Sequence, residues 1–244
     1  MVRTVWHLRR GHGKPAYDSP AGGRRSLRSS AMTVIVVVGA SDAVGYGADD
    51  PAADAWPEVL RRTVVPAGTE VVNLGIAGAT VAVALEHELP DAAATGATAA
   101  LVWLSVNDLL SGVPAGEYEH QLAHLVRALR AGGSTRVLVG NTPPLDHLPL
   151  PPGPGRAPAD GDTGPSLDGM VAAYNAAIDR VIATEGAELV DLHAVAMASR
   201  AAGTHDSLLG PDGFHPSTAG HQALADAFAT VLALGRGRTG PNPA

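Results

Sequence analysis

The feature that most constrains this chain is a change of hydrophobic period that repeats along its length. Short runs that are apolar at successive positions alternate with longer amphipathic segments. Val34–Gly39 ("VIVVVG"), Glu70–Asn73, Ala99–Ser105, Arg136–Gly140 and Glu188–Asp191 read as strands. A strand wetted on one face alternates polar and apolar residues, whereas one covered on both faces stays apolar throughout. Between these runs, Ala55–Val64, Val81–Ala92, Tyr118–Ala131 and Leu167–Glu185 have helical spacing, and Ser217–Leu234 forms a last helix. Strands that alternate with helices join a parallel sheet through right-handed crossovers. The expected fold class is therefore α/β. It is a three-layer α/β/α domain with a five-stranded parallel sheet.

At 244 residues the chain has the size of one such domain, expected over residues 32–235. Residues 1–31 are basic, rich in Gly, Pro and Ser, and without apolar period, so they read as a disordered extension. "MTVIVVVGA" after them could pass for the apolar region of a signal peptide. The same residues serve better as the first strand, which favours a cytoplasmic chain and leaves secretion open. Residues 236–244 read as a disordered tail. A net charge of −7 argues against nucleic-acid binding, and no apolar run is long enough to span a membrane. The chain has no cysteine, which removes disulfides and thiolate metal sites. His120 and His124, four residues apart on a helix, are better read as a solvated face than as a zinc pair, so no metal and no cofactor is expected.

Four stretches at strand ends or beside the last helix carry chemistry: "GASDAVGYG", "NLGIAGATV", "WLSVNDLL" and "PDGFHPSTAGH". Each alone has a plain reading as a turn or a helix cap. Together they supply a full set for acyl transfer. A serine hydroxyl is a weak nucleophile until a base takes its proton, and histidine is the base suited to neutral pH. A carboxylate fixes the tautomer and orientation of that histidine. The developing oxyanion needs donors that are already in place. Ser41 is the candidate nucleophile, His215 the base and Asp212 its partner. Gly78 and Asn107 are candidate oxyanion donors beside the Ser41 N–H.

These stretches resemble the SGNH hydrolases, the GDSL-type lipases and esterases. Ser41, Gly78, Asn107 and His215 match the four residues of that name in order and spacing, and Asp212 matches the family's Asp-x-x-His pair. "AWPEVL", Ala55–Leu60, resembles the first helix after the nucleophile turn, and the resemblance runs from Thr33 to Leu234. Two positions depart from the pattern. Ala40 stands where the family has aspartate, with Asp42 following instead, and Ser105 stands where glycine is common. The resemblance implies the flavodoxin-like strand order 2-1-3-4-5 for the sheet, and a serine esterase that works through an acyl-enzyme, with a small-molecule ester as its partner.

Aromatic residues make up only 4% of the chain, and there is no second domain, which points to short acyl groups. The Pro- and Gly-rich segment Pro143–Pro165 leaves a strand end and is the expected lining of the substrate site. Two other readings remain: acyl transfer to an alcohol or sugar through the same acyl-enzyme, and a flavodoxin-like module that cradles phosphate at the "GASDAVG" turn.

Overall fold

Each of the five apolar runs becomes a strand of one sheet in the computed structural model, which describes residues 33–131, 133–146, 148 and 166–236. The strands are β1 (Val34–Gly39), β2 (Glu70–Asn73), β3 (Ala99–Trp103), β4 (Arg136–Gly140) and β5 (Glu188–Val190). Their order is β2-β1-β3-β4-β5 and every pairing is parallel. The expectations for residues 1–31 and for the tail beyond Arg236 fall outside the described residues, as does most of the Pro143–Pro165 segment.

Ten α-helices cover the sheet among the described residues: α1 (Ser41–Val44), α2 (Pro51–Asp54), α3 (Trp56–Thr63), α4 (Val81–His87), α5 (Leu89–Ala94), α6 (Val106–Leu110), α7 (Ala115–Leu129), α8 (Leu167–Glu185), α9 (Leu192–Ala201) and α10 (Thr218–Arg236). Successive β1 side chains divide between two cores, as a pleated strand requires. Val36 and Val38 join one core with Val81, Tyr118, Leu122 and Ile178, from α4, α7 and α8. Ile35 and Val37 join the other with Trp56, Leu60 and Phe228, from α3 and α10. Aromatic pairs anchor both layers. Trp56 stacks on Phe228 at 4.6 Å between ring centroids, and Tyr118 on Tyr174 at 4.4 Å. Burying one large apolar side chain contributes roughly 1.5–3 kcal/mol, and these stacked rings join α3 to α10 and α7 to α8.

Three details differ from the sequence reading. The helix expected over Val81–Ala92 is two helices, α4 and α5, divided at Glu88. Pro90 has no N–H for a carbonyl of the preceding turn, so α4 cannot propagate through it. Strand β2 is only partly covered, because it lies at the edge of the sheet. Helix α9 starts directly after β5, where Asp191 caps it by accepting the Ala194 N–H at 2.9 Å. No helix among the described residues is long and apolar enough to cross a membrane.

Strand order reverses at β1, which lies between β2 and β3. Open parallel sheets bind ligands at the carboxyl ends of the strands flanking such a point. Ser41 follows β1 and Asn107 follows β3, so both sit at that edge.

Candidate active site

Strand β1 ends at Gly39, the chain passes through Ala40, and Ser41 opens the four-residue helix α1. The first residue of a helix has an N–H with no acceptor inside the helix. The Ser41 N–H has no hydrogen-bond partner among the described residues, and faces no competitor for an incoming oxygen. The half-buried side chain places Oγ 2.9 Å from Nε2 of His215, 174 residues further along the chain.

His215 belongs to a tight loop before α10. The Gly210 N–H donates to the His215 carbonyl at 2.8 Å, closing the loop around Asp212 and Gly213. Asp212 Oδ1 accepts the backbone N–H groups of Phe214 and His215, at 2.9 and 3.0 Å, and its Oδ2 lies 2.6 Å from His215 Nδ1. A spacing of three residues thus turns the carboxylate back onto the ring. Burial works against the charged form of Asp212. The hydrogen bonds from the His215 ring and from the two N–H groups outweigh it and hold the carboxyl below its ordinary range. The imidazole is flanked by Tyr46, 5.3 Å away between ring centroids, and by Phe214, edge-on at 4.7 Å.

The Ser41 turn and the His215 loop can meet only because residue 47 is glycine. Gly47 has φ +85°, and a Cβ there would lie 2.3 Å from the Pro216 carbonyl oxygen and 2.9 Å from the His215 Cβ. Any side chain would push the histidine away from Ser41.

Gly78 lies on the exposed loop between β2 and α4 with φ +80°, and its N–H has no partner among the described residues. Asn107 lies on α6. Its amide Nδ2 donates one hydrogen to the Ala79 carbonyl at 2.9 Å, which joins the two oxyanion candidates and leaves the second amide hydrogen available. Behind it, both carboxyl oxygens of Asp108 accept the Val81 N–H at 3.1 Å, and burial pushes this carboxyl up to about 6. Ser41, Asn107 and His215 all line one cavity of about 140 Å³. Gly78 is not part of that lining, although its neighbour Ala79 is.

Most of the cavity wall is apolar. Trp103 and Leu104 come from the end of β3, Leu145 from the segment after β4, and Leu224 from α10. Pro143 and Pro144 also line it, so the described start of the Pro143–Pro165 segment reaches the site. Leu192, Val195 and Ala196 of α9, a helix not expected from the sequence, complete one wall. Helical spacing of apolar residues after Asp191 was the available signal. Nor did the sequence point to roles for Asp42 and Glu88. Asp42 is buried, and its Oδ2 accepts the Trp56 indole N–H at 3.0 Å. Glu88 is buried with Oε2 on the Gly39 N–H at 2.9 Å. Burial pushes each of these carboxyls up to about 7. Among the described residues no group of three or more His, Asp or Glu side chains could hold a metal ion, and His120 and His124 are exposed on α7.

Solved structures share this architecture. A GDSL-like lipase described as putative, from Parabacteroides merdae ATCC 43184, superposes with a TM-score of 0.67 at 17% identity, over 83% of this chain and 96% of that one. The lipase/acylhydrolase from Enterococcus faecalis gives 0.65 at 17% identity, over 87% and 100%. TesA gives 0.61 at 23% identity, over 82% and 98%. Identities this low establish a common fold and nothing finer. No curated protein matches the sequence. The sequence pattern of one family does match, over residues 37–223, a span that opens inside β1 just ahead of Ser41 and closes inside α10 just past His215. The chain is accordingly a hydrolase of the GDSL-like lipase/acylhydrolase family.

Proposed function

We propose that the chain is a serine esterase that hydrolyses carboxylic esters of short acyl groups through an acyl-enzyme on Ser41. The observation that carries this reading is the unbroken hydrogen-bonded chain Ser41 Oγ–His215 Nε2 and His215 Nδ1–Asp212 Oδ2 at the wall of an apolar cavity. With Nδ1 protonated and donating to Asp212, Nε2 presents a lone pair to the serine hydroxyl. Oγ attacks the acyl carbon as Nε2 takes its proton, and Asp212 stabilises the imidazolium. The carbonyl oxygen becomes an anion held by the N–H groups of Ser41 and Gly78 and by the Asn107 amide. As the carbon–oxygen bond to the alcohol breaks, Nε2 returns the proton to that oxygen. Water then repeats the sequence on the acyl-enzyme, with His215 as its base, and releases the acid and free Ser41.

The apolar wall supports an acyl group in the cavity, with the alcohol directed to solvent. A cavity of about 140 Å³ is close to the size that admits a single benzene ring, which favours chains of up to about six carbons.

A fluorophosphonate reacts only with an activated serine. The wild-type chain is expected to be labelled once, at Ser41, and to hydrolyse p-nitrophenyl acetate, with both properties lost in Ser41→Ala and His215→Ala. Labelling that persists in a folded Ser41→Ala protein, or its absence from the wild type, would overturn the assignment. Product analysis with an added alcohol separates hydrolysis from transfer: a transferase yields mainly the new ester.

A further inference from the structure

Helix α4 runs from the oxyanion loop to the underside of the nucleophile turn, and a buried carboxyl ties it down at each end. At its first residue, the Val81 N–H is held by Asp108, the neighbour of Asn107. Directly after its last residue, Glu88 reaches Gly39, two residues before Ser41. The reaction drawn above gives Glu88 no part, although its side chain is fully buried.

The need for this contact follows from the sheet. In a parallel ladder the N–H and C=O of one residue face the same neighbouring strand. The Gly39 C=O faces the β2 side, where it accepts the Ile76 N–H at 3.1 Å. Pairing between β1 and β2 stops at Val37 with Asn73, so no strand carbonyl is left for the Gly39 N–H. Glu88 Oε2 takes that place at 2.9 Å. Its carboxyl is carried by the break between α4 and α5, which Pro90 fixes in sequence. The other oxygen, Oε1, is buried with no hydrogen-bond partner among the described residues. A group buried with one oxygen unsatisfied destabilises the fold at that point, so the contact of its other oxygen is the reason for its presence.

We propose that Glu88 is a positioning residue for ester hydrolysis: by holding the Gly39 peptide it fixes where Ser41 stands relative to the loop that carries Gly78. The Gly39 peptide is the joint between the two. Its N–H is held by Glu88, its C=O holds Ile76, and the chain beyond it supplies both the Oγ of Ser41 and one oxyanion donor. A shift of that peptide changes the distance from nucleophile to oxyanion donors, and misplacement of about 1 Å can cost about 10²-fold in rate. An acceptor oxygen is what the position requires, in either protonation state. Glutamine supplies one, methionine of similar volume does not, and aspartate falls short by one methylene. This inference rests on the serine-esterase reading.

The test is steady-state hydrolysis of p-nitrophenyl acetate and the rate of fluorophosphonate labelling for the wild type, Glu88→Met, Glu88→Asp and Glu88→Gln, with thermal melts for each. Glu88→Met and Glu88→Asp are expected to lower kcat and the labelling rate by about 10–100-fold with KM within about twofold. Glu88→Gln is expected to restore both to within about threefold of wild type. Wild-type kcat in Glu88→Met overturns the proposal; where that variant does not fold, wild-type kcat in Glu88→Asp does so. A Glu88→Gln protein that folds but is as slow as Glu88→Asp also overturns it, as does a loss confined to KM. A wild type that is not labelled at Ser41 overturns the esterase reading itself, and this proposal with it.

Discussion

Replacing Asp42 by asparagine should stabilise the protein by an amount that grows with pH. Asp42 is 8% exposed, and burial raises its carboxyl from 3.8 to about 7 despite the hydrogen bond from Trp56. The unfolded chain restores the ordinary value. Between those limits the folded state holds a proton that the unfolded state has released, so stability falls as pH rises. The slope for one such group is about 1.4 kcal/mol per pH unit. Over a span from 3.8 to about 7 the loss reaches about 4 kcal/mol at most. It is absent below the unfolded value and complete above the folded one. Asparagine carries no charge at any of these pH values, and its Oδ1 can still accept the indole N–H. The stability difference between Asp42→Asn and wild type should therefore be near zero at pH 4, rise through pH 5 and 6, and level off by pH 8. Removing the Asp42 charge also relieves Glu88, whose carboxyl it raises, and this adds in the same direction. Urea denaturation followed by far-UV circular dichroism at each pH supplies the difference. Taking the difference cancels the groups that Asp42 does not perturb, including His221, whose burial lowers its pKa and gives a slope of the opposite sign. A difference that stays constant from pH 4 to pH 8, or a variant less stable than wild type at pH 8, would refute the reasoning.

Two further outcomes follow from the site. In the proposed reaction the Asn107 amide acts only as charge develops on the oxygen, so Asn107→Ala should lower kcat by about 10²–10³-fold with little change in KM; a rise in KM with kcat intact would make Asn107 a ground-state contact instead. In a series of p-nitrophenyl esters, kcat/KM should climb by about fourfold per methylene, from about 0.8 kcal/mol each, as far as about hexanoyl and then stop; a climb that continues to decanoyl would show that the cavity opens into a longer groove.

The fold class and the chemical inventory were legible in the chain itself. Five short apolar runs separated by helical segments admit little besides a covered parallel sheet, while the strand order came with the family resemblance and is seen in the sheet itself. Ser41, Asp212 and His215 were legible because a serine after a strand and an Asp-x-x-His pair are local patterns. Asp212 turns its carboxylate onto His215 through N–H groups only two and three residues away. Pro90 was equally legible, yet the reading ran one helix through it, since a period of apolar residues says nothing about a missing N–H.

Contacts between distant residues depend on packing that no local pattern encodes. The hydrogen bond from Ser41 to His215 spans 174 residues, and it depends on a close approach at Gly47 that no local pattern announces. Asp42 and Glu88 read as ordinary charged residues. Burial is a property of what packs around a residue, and here it comes from Trp56 on one side of the sheet and from the α4–α5 break on the other. The cavity wall was illegible for the same reason. Leu192, Val195 and Ala196 face the site only because β5 and α9 dock beside β4, a placement set by the sheet as a whole. Local sequence fixes which groups a chain possesses and the periods in which it presents them; which distant groups touch, and in how little water, is settled by packing.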